Sequence, residues 1–127
     1  MNTREASTTD LLETARTVLL ETLLPQLRTT HGYECQMVAR AMSIAAREVE
    51  SGAEAEVVEA NALSEVMAHF GLNTQGAGHD RSRLAGLIRS GVFDASSAAQ
   101  AQLLDALMHI TRARLAISNP KALRDER

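Results

Sequence analysis

The chain has 127 residues, of which 45% are hydrophobic, 23% charged and only 2% aromatic, and its formal net charge is −3. This composition is too apolar for a disordered chain, and the length suits a single domain. A net negative charge without a basic stripe argues against a nucleic-acid partner, and no apolar run reaches the roughly 20 residues that span a bilayer.

The sequence is poor in aromatic residues and rich in Ala, Leu, Arg and Glu, which predicts helices rather than strands. The first helix is predicted to begin within residues 8–10, all of which are good N-cap residues. Pro25 has no backbone donor, so a kink or break is expected there, followed by a turn through residues 27–29. Residues 30–32 form the first predicted connector.

The second helix is predicted over residues 33–50 and is expected to stop at Ser51-Gly52, because glycine readily takes the left-handed conformation that ends a helix. The third helix is predicted over residues 54–70, with Gly71 as its stop. Residues 72–79 form the clearest predicted loop.

The fourth helix is short, over residues 81–90, with Asp80 as the predicted N-cap and Gly91 as the stop. The fifth helix is predicted over residues 95–117 and is terminated by Ser118-Asn119-Pro120. No internal repeat or low-complexity tract interrupts this pattern.

Short connectors make sequential helices antiparallel, so these elements predict an all-α, up-and-down helical bundle of four main helices plus one short helix. Residues 1–9 are expected to be a flexible N-terminus, residues 10–120 a single helical-bundle domain and residues 121–127 a charged tail. The expected core consists of apolar residues at helical spacing, namely Leu23, Ile44, Leu63, Leu84, Phe93, Leu107 and Ile110. On the second helix the expected buried face is Tyr33, Met37, Ala41, Ile44 and Ala45. Truncating a buried leucine costs about 2–5 kcal/mol, so this loss of stability is expected for Leu107→Ala.

One cysteine cannot form an internal disulfide, and the N-terminal segment lacks the apolar stretch of a secretory signal, so the chain is expected to be cytoplasmic. Cys35 is interpreted as a packing residue rather than a nucleophile. The helical metal-binding spacings Glu-x-x-His and His-x-x-x-His are absent, so the pairs Glu65/His69 and Asp105/His109 are interpreted as surface pairs. The chain is therefore expected to hold no metal or cofactor.

The glycine-rich loop could present backbone N–H groups to an anion, but it carries no nucleotide-binding glycine motif. A flexible loop followed by the Asp80 cap is the favoured interpretation. An enzyme that uses His79, Asp80 and Arg81 at this loop is the least favoured one, because no set of nucleophile, base and orienting residue is visible.

Arg47 and Glu48 lie at the end of the predicted second helix, and Arg40 precedes Arg47 by seven residues, so the two arginines lie near one face. Arg47 follows Ile44 by three residues and is expected to border the core. One interpretation is a partly buried structural ion pair in which Glu48 or another acid holds the guanidinium. The other is an anchor for an anionic group or a partner.

Three stretches carry a family resemblance in their order and spacing, and the first is Leu23-Leu24-Pro25-Gln26-Leu27. The second is Tyr33 with an Ala-rich helix that leads into Ile44-Ala-Ala-Arg47-Glu48-Val-Glu-Ser-Gly52. The third is Leu84-Ala-Gly-Leu-Ile88-Arg89-Ser-Gly91-Val-Phe93-Asp94, followed by Leu115-Ala-Ile-Ser-Asn119-Pro120. Together they resemble a family of small all-helical bacterial proteins of unknown function. That family is encoded beside aminoglycoside-phosphotransferase-like kinases and acyl-CoA dehydrogenases. One branch is the small accessory subunit of the 4-hydroxyacyl-CoA kinase of levulinate catabolism. Gln36 and Arg40 stand where members often carry Arg and Asn.

The resemblance implies a non-catalytic accessory subunit that binds an aminoglycoside-phosphotransferase-like kinase acting on hydroxyacyl-CoA. The kinase would supply ATP, Mg²⁺ and the catalytic carboxylates. The candidate contact residues are Tyr33, Arg40, Arg47, Glu48, Arg89 and Asn119. The alternative is a helical interaction module that self-associates, for example as a homodimer, and has no catalytic role. Neither hypothesis includes a nucleic-acid or membrane partner.

Overall fold

The computed structural model describes residues 6–124, and all regular structure in this part of the chain is helical, which confirms the predicted all-α class. The elements are α1 (Thr8–Val18), a π-helical turn (Leu19–Leu23), α2 (Leu24–His69), α3 (Ala77–Ser90), α4 (Ser97–Ser118) and α5 (Pro120–Arg124). The outer parts of the predicted flexible N-terminus and charged tail, residues 1–5 and 125–127, lie outside the described residues.

Helix α1 begins at Thr8, within the predicted range, but its N-cap is Ser7, one residue before the predicted cap residues. The Ser7 Oγ accepts a hydrogen bond from the Asp10 backbone N at 3.1 Å, and the Ser7 backbone N donates to the Asp10 carboxylate at 3.1 Å. Two of the helix's orphan backbone donors are thereby satisfied. Thr8 and Thr9 are accordingly the first helical residues rather than caps.

Pro25 does not break the helix, and the turn predicted over residues 27–29 is wrong, because the chain is helical across the proline and through these residues. A π-helical turn immediately precedes the proline, and in it the Leu24 N–H bonds to the Leu19 carbonyl, five residues back. A wider turn here relieves the clash between a proline ring and the carbonyl four residues before it. The backbone leaves helical geometry only at His31 (φ −139°, ψ 30°), so the predicted connector at residues 30–32 shrinks to a one-residue kink.

The predicted stop at Gly52 is also wrong, because α2 continues without interruption to His69. Positive φ angles occur instead at Gly71, Gly76 and Gly91, among the described residues. Gly71 and Gly91 are the two stops that the sequence predicts correctly. Gly52 is buried within the helix, and a Cβ there would lie 2.7 Å from the Glu48 Oε1 atom. The lack of a side chain at residue 52 therefore leaves room for the Glu48 side chain.

The described residues form two compact units, and the N-terminal unit comprises Met1–Ala53 with Ile117–Asn119. The buried face of α2 in this unit consists of small residues, Cys35, Ala39 and Ala46, which lie on one side of the helix. Leu24 and Ile117 are also buried. The burial of Cys35 confirms its interpretation as a packing residue.

The predicted large buried residues of this unit are wrong: Tyr33, Met37 and Leu23 are exposed, and Ile44 is half-buried. Tyr33 lies about 200° around the helix from Cys35, so the face that packs is the opposite one. Small residues on a contact face let helices approach closely, and here the small face of α2 is buried while the larger Tyr33 and Met37 side chains stay exposed.

The second unit comprises Glu54–Ala116 with Pro120–Arg127 and holds the main hydrophobic core. Helices α2, α3 and α4 and the turn before α4 supply it, through Ala62, Leu63, Val66, Met67, Leu84, Phe93, Ala99, Leu103 and Ala106. The Phe70 and Phe93 rings pack edge to face, with centroids 5.2 Å apart. Burial of Leu63, Leu84 and Phe93 is confirmed, and Ile110 is partly buried against the cluster.

Leu107 is 37% exposed, so its predicted place in the core is wrong. The buried face of α4 is centred on Ala99, Leu103 and Ala106, and Leu107 lies at its edge. Helix α4 stops at Ser118, as predicted, but Pro120 also begins the short helix α5, which includes the first residues of the predicted charged tail. Proline is favoured at a first helical position, where its missing N–H costs nothing. None of the helices among residues 6–124 combines the length and the apolar character that crossing a membrane requires.

Candidate functional site

The most unusual polar group of the second unit is Glu59, a carboxylate that is 91% buried on the core-facing side of α2. Arg81, near the start of α3, donates from Nε to the Glu59 Oε1 at 2.6 Å. Arg114, near the end of α4, donates from Nη2 to the Glu59 Oε2 at 3.4 Å. Each carboxylate oxygen thus has its own guanidinium, and such hydrogen-bonded pairing is what makes a buried charge tolerable.

Glu59 and its two arginines also line a groove of about 420 Å³ on the second unit, which we call the Glu59 groove. It is lined by residues of α2, α3 and α4, namely Glu59, Leu63, Arg81, Leu84, Leu107, Ile110 and Arg114. The three charged residues of the lining are paired with one another, and the other lining residues are aliphatic. The groove therefore combines a bound ion cluster with aliphatic side chains from three helices.

The sequence does not predict this cluster, because Glu59 stands with Glu54 and Glu56 in the first turns of the predicted third helix, where acidic residues complement the helix dipole. A signal was present: Glu59 precedes Ala62 by three residues and Val66 by seven, so it lies on the apolar stripe of α2. An acid on a buried stripe requires a cationic partner, but the sequence does not show which arginine supplies it.

Asp80 is wholly buried and holds the loop before α3 in place. Its carboxylate accepts hydrogen bonds from the Thr74 hydroxyl, from the Gln75 backbone N at 3.1 Å and from Arg83 Nη2 at 3.1 Å. The same Arg83 also donates to the Asn73 carbonyl. The Thr74 hydroxyl, the Gln75 amide and Arg83 together lower the pKa of Asp80 below its ordinary value, although burial opposes them.

The predicted N-cap role of Asp80 is therefore wrong: α3 begins at Ala77 after Gly76, and Asp80 lies within the first turn and folds back onto the loop. The least favoured hypothesis placed chemistry on His79, Asp80 and Arg81. In the structure Asp80 is committed to the loop, Arg81 is bonded to Glu59 and His79 is exposed.

The candidate contact residues of the N-terminal unit follow one helix. Tyr33, with 75% of its surface exposed, is joined by the exposed Met37 and Arg40, and these three residues form what we call the Tyr33 face of α2. Spacings of four and seven residues put them on one side of the helix. Glu48, further along α2, is exposed.

Arg47 has a structural partner: its Nε donates to the Ile117 carbonyl at 2.6 Å. Ile117 lies in the last turn of α4, where carbonyl groups have no partner within the helix, so Arg47 caps that end. Asn119 is exposed between α4 and α5, in the same unit as Arg47, whereas Arg89 is exposed in the last turn of α3 and belongs to the second unit. The six predicted residues do not form one cluster.

The remaining candidate groups are modest. Asp105 and His109 form an exposed pair, with the His109 Nδ1 3.7 Å from the Asp105 Oδ1, which confirms a surface pair. No group of three or more His, Cys, Asp or Glu residues within residues 6–124 could hold a metal ion. A cleft of about 300 Å³ on the N-terminal unit mixes acidic and basic side chains from α1 and α2.

The fold and these sites define a small all-α protein with charged side chains held by intrachain contacts and apolar side chains left on its surface. Residues 25–122 match the model of a family described as a domain of unknown function (DUF6285). The match covers well over half of the chain, so the chain belongs to this family. No curated protein and no solved structure matches it. The resemblance to a family of unknown function is confirmed to that extent.

Proposed function

We propose that this chain is a non-catalytic accessory subunit of an aminoglycoside-phosphotransferase-like kinase that acts on hydroxyacyl-CoA in acyl-CoA catabolism. The kinase and its substrate class come from the family resemblance of the three ordered sequence stretches. The kinase would carry out the phosphoryl transfer, and this chain would bind to it and support its activity.

The observation that carries the proposal is the Tyr33 face of α2. Tyr33, Met37 and Arg40 lie side by side and are exposed. Tyrosine, methionine and arginine are enriched at the cores of protein interfaces, and tyrosine and arginine dominate binding hot spots. An exposed surface of this composition supports binding to another protein.

The polar side chains that could have formed a catalytic site support the same view. Asp80, Glu59 and Arg47 each bind groups of the chain itself, to hold a loop, pair helices and cap a helix end. Their contacts stabilise the fold and leave the Tyr33 face as a surface for a partner.

The test is co-expression of this chain with the phosphotransferase-like kinase encoded beside it. We expect the two proteins to purify together and the kinase to lose activity on hydroxyacyl-CoA when this chain is omitted. Tyr33→Ala and Arg40→Ala should weaken the complex, whereas Leu11→Ala, at a position on α1 that is 62% exposed, should not. Failure to purify together, with unchanged kinase activity, would refute the proposal.

The second candidate is a self-associating module, and it is favoured by exposed apolar residues on α4 as well as on α2, such as Leu104 and Met108. Apolar surface of this kind binds a second copy as readily as a different protein. Sedimentation velocity of the pure chain separates the two functions: a stable dimer that Tyr33→Ala dissociates supports self-association.

A further inference from the structure

The N-terminal unit contains a helical hairpin that turns at one residue. Side chains from residues 12–17 of α1 and from residues 42–50 of α2 line the same cleft. An uninterrupted helix would hold Leu12 and Ala46 about 51 Å apart, at 1.5 Å per residue, so the chain reverses between them. The point halfway between the two runs is about residue 30, next to His31, where the backbone leaves helical geometry.

His31 is the hinge of this hairpin. Its φ of −139° and ψ of 30° each differ from helical values by about 75°, and the chain is helical on both sides of it. Extending a helix across one residue needs no new nucleus when helix already stands on either side. A change in the two backbone angles of a single residue therefore converts the hairpin into one straight helix.

The arm that this change releases, residues 8–30, is held in the closed hairpin by few buried side chains. Neither α1 nor the π-helical turn contains a buried residue, and Leu12, Leu19 and Leu20 are half-buried. Within residues 8–30, Leu24 is the one buried residue. Release of the arm therefore breaks few buried contacts, and it uncovers the surface of α2 on which the arm lay.

The closed hairpin itself shows what fits the uncovered surface, because α1 lies on it there. A second copy of this chain carries the same residues 8–30, so its arm can dock in the vacated place with the same contacts. We propose that two chains straighten at His31, exchange these arms and form a domain-swapped dimer. Docking in trans is bimolecular, so the exchange makes the N-terminal unit a switch that responds to protein concentration. The inference goes beyond the proposed function and does not depend on the kinase.

The first experiment measures the dimerisation constant by sedimentation velocity of refolded chains over a range of concentrations. His31→Ala should raise this constant and His31→Gly should lower it, because the exchanged form needs helix at residue 31 and the closed form does not. The two constants should differ by roughly 20-fold, since the lower helix propensity of glycine counts once in each chain. Gln36→Ala and Gln36→Gly are the matched controls at an exposed position that is helical in both forms, and their constants should be equal.

The second experiment shows which chain each arm binds. Chains labelled with light or heavy nitrogen are mixed in urea and refolded together, each with a photo-crosslinking amino acid at position 17, which lines the cleft with residues 42–50. In the dimer, the crosslinks from position 17 to residues 42–50 should include pairs of one light and one heavy peptide. In the monomer fraction of the same sample, which is the internal control, both peptides should carry the same isotope.

The outcomes separate arm exchange from other modes of association. A dimer whose crosslinks all join peptides of one isotope is a side-by-side dimer and overturns the proposal. Equal dimerisation constants for His31→Ala and His31→Gly, or a His31→Ala chain that stays monomeric at every soluble concentration, overturn it as well. Tyr33→Ala should leave the exchanged dimer intact, whereas it dissociates a dimer built on the Tyr33 face. Neither experiment includes the kinase, so the accessory function stands or fails separately.

Discussion

Leu103 and Leu107 provide a sharp test of how α4 packs, because they are the same residue type one helical turn apart. Leu103 is only 9% exposed and belongs to the core, whereas Leu107 is 37% exposed at the edge of the Glu59 groove. Leu103→Ala removes buried methyl groups and leaves a cavity, so the expected loss in the free energy of unfolding is about 2–5 kcal/mol. At position 107 solvent fills the vacated space and part of the surface was never buried, so about 1 kcal/mol is expected.

The assay is urea unfolding of both variants, followed by circular dichroism at 222 nm. The comparison requires similar slopes of free energy against urea, since a changed slope indicates a changed unfolded state or loss of two-state behaviour. Equal losses for the two variants, or a larger loss for Leu107→Ala, would refute the assigned orientation of α4. The sequence-based expectation of 2–5 kcal/mol for Leu107→Ala is replaced by this smaller value.

Three further predictions concern single positions, and urea midpoints measure all of them. Gly52→Ala should be neutral or stabilising by up to about 1 kcal/mol, because alanine favours a helix more than glycine does and only the flexible end of the Glu48 side chain must move. Gly91→Ala, at φ +82°, should destabilise the fold by about 1 kcal/mol, because alanine is strained in that conformation. Equal effects of the two substitutions would contradict the helical assignment of residue 52. The lowered pKa of Asp80 means that its stabilising contribution is complete above the unfolded-state pKa of about 3.9 and is lost as pH falls from there through the lower folded-state pKa. Asp80→Asn should therefore make the urea midpoint fall less steeply as the pH is lowered below about 4. An equally steep fall in both chains would refute this contribution of Asp80. Arg47→Ala should cost about 1 kcal/mol through the lost hydrogen bond to a helix-end carbonyl, and a change near zero would mean that water replaces this cap fully.

The sequence predicts the elements whose signals are local. Gly71 and Gly91 end helices because their positive φ angles are accessible to glycine, and the stripe around Leu63 and Val66 marks a buried helix face. The helix ends predicted at Pro25 and Gly52 are wrong for one shared reason, which is that neither residue forbids a helix. A wider, π-helical turn precedes the proline, and the glycine leaves space for the Glu48 side chain.

The site depends on contacts that a local pattern does not contain. Glu59 meets Arg114 across 55 residues of sequence, and Arg47 meets Ile117 across 70. An acid on an apolar stripe shows that a cation is needed, yet only the packing of three helices decides which arginine reaches it. The sequence predicts a buried Tyr33 because large apolar side chains favour burial, whereas the buried face of α2 consists of small residues that let helices approach closely.

The π-helical turn at Leu19–Leu23 sets the rotational phase of α1 against α2. A π turn holds one residue more than the α-helical turn it replaces, and one residue corresponds to about 100° of rotation. Deleting a single residue within this turn would restore α-helical spacing and turn Leu11 and Val18 toward a new direction. It would also change which residues of α1 face α2 in the cleft that the two helices line together. The turn is thus a point at which one insertion or deletion would change both the outward face of α1 and the face that it turns to α2.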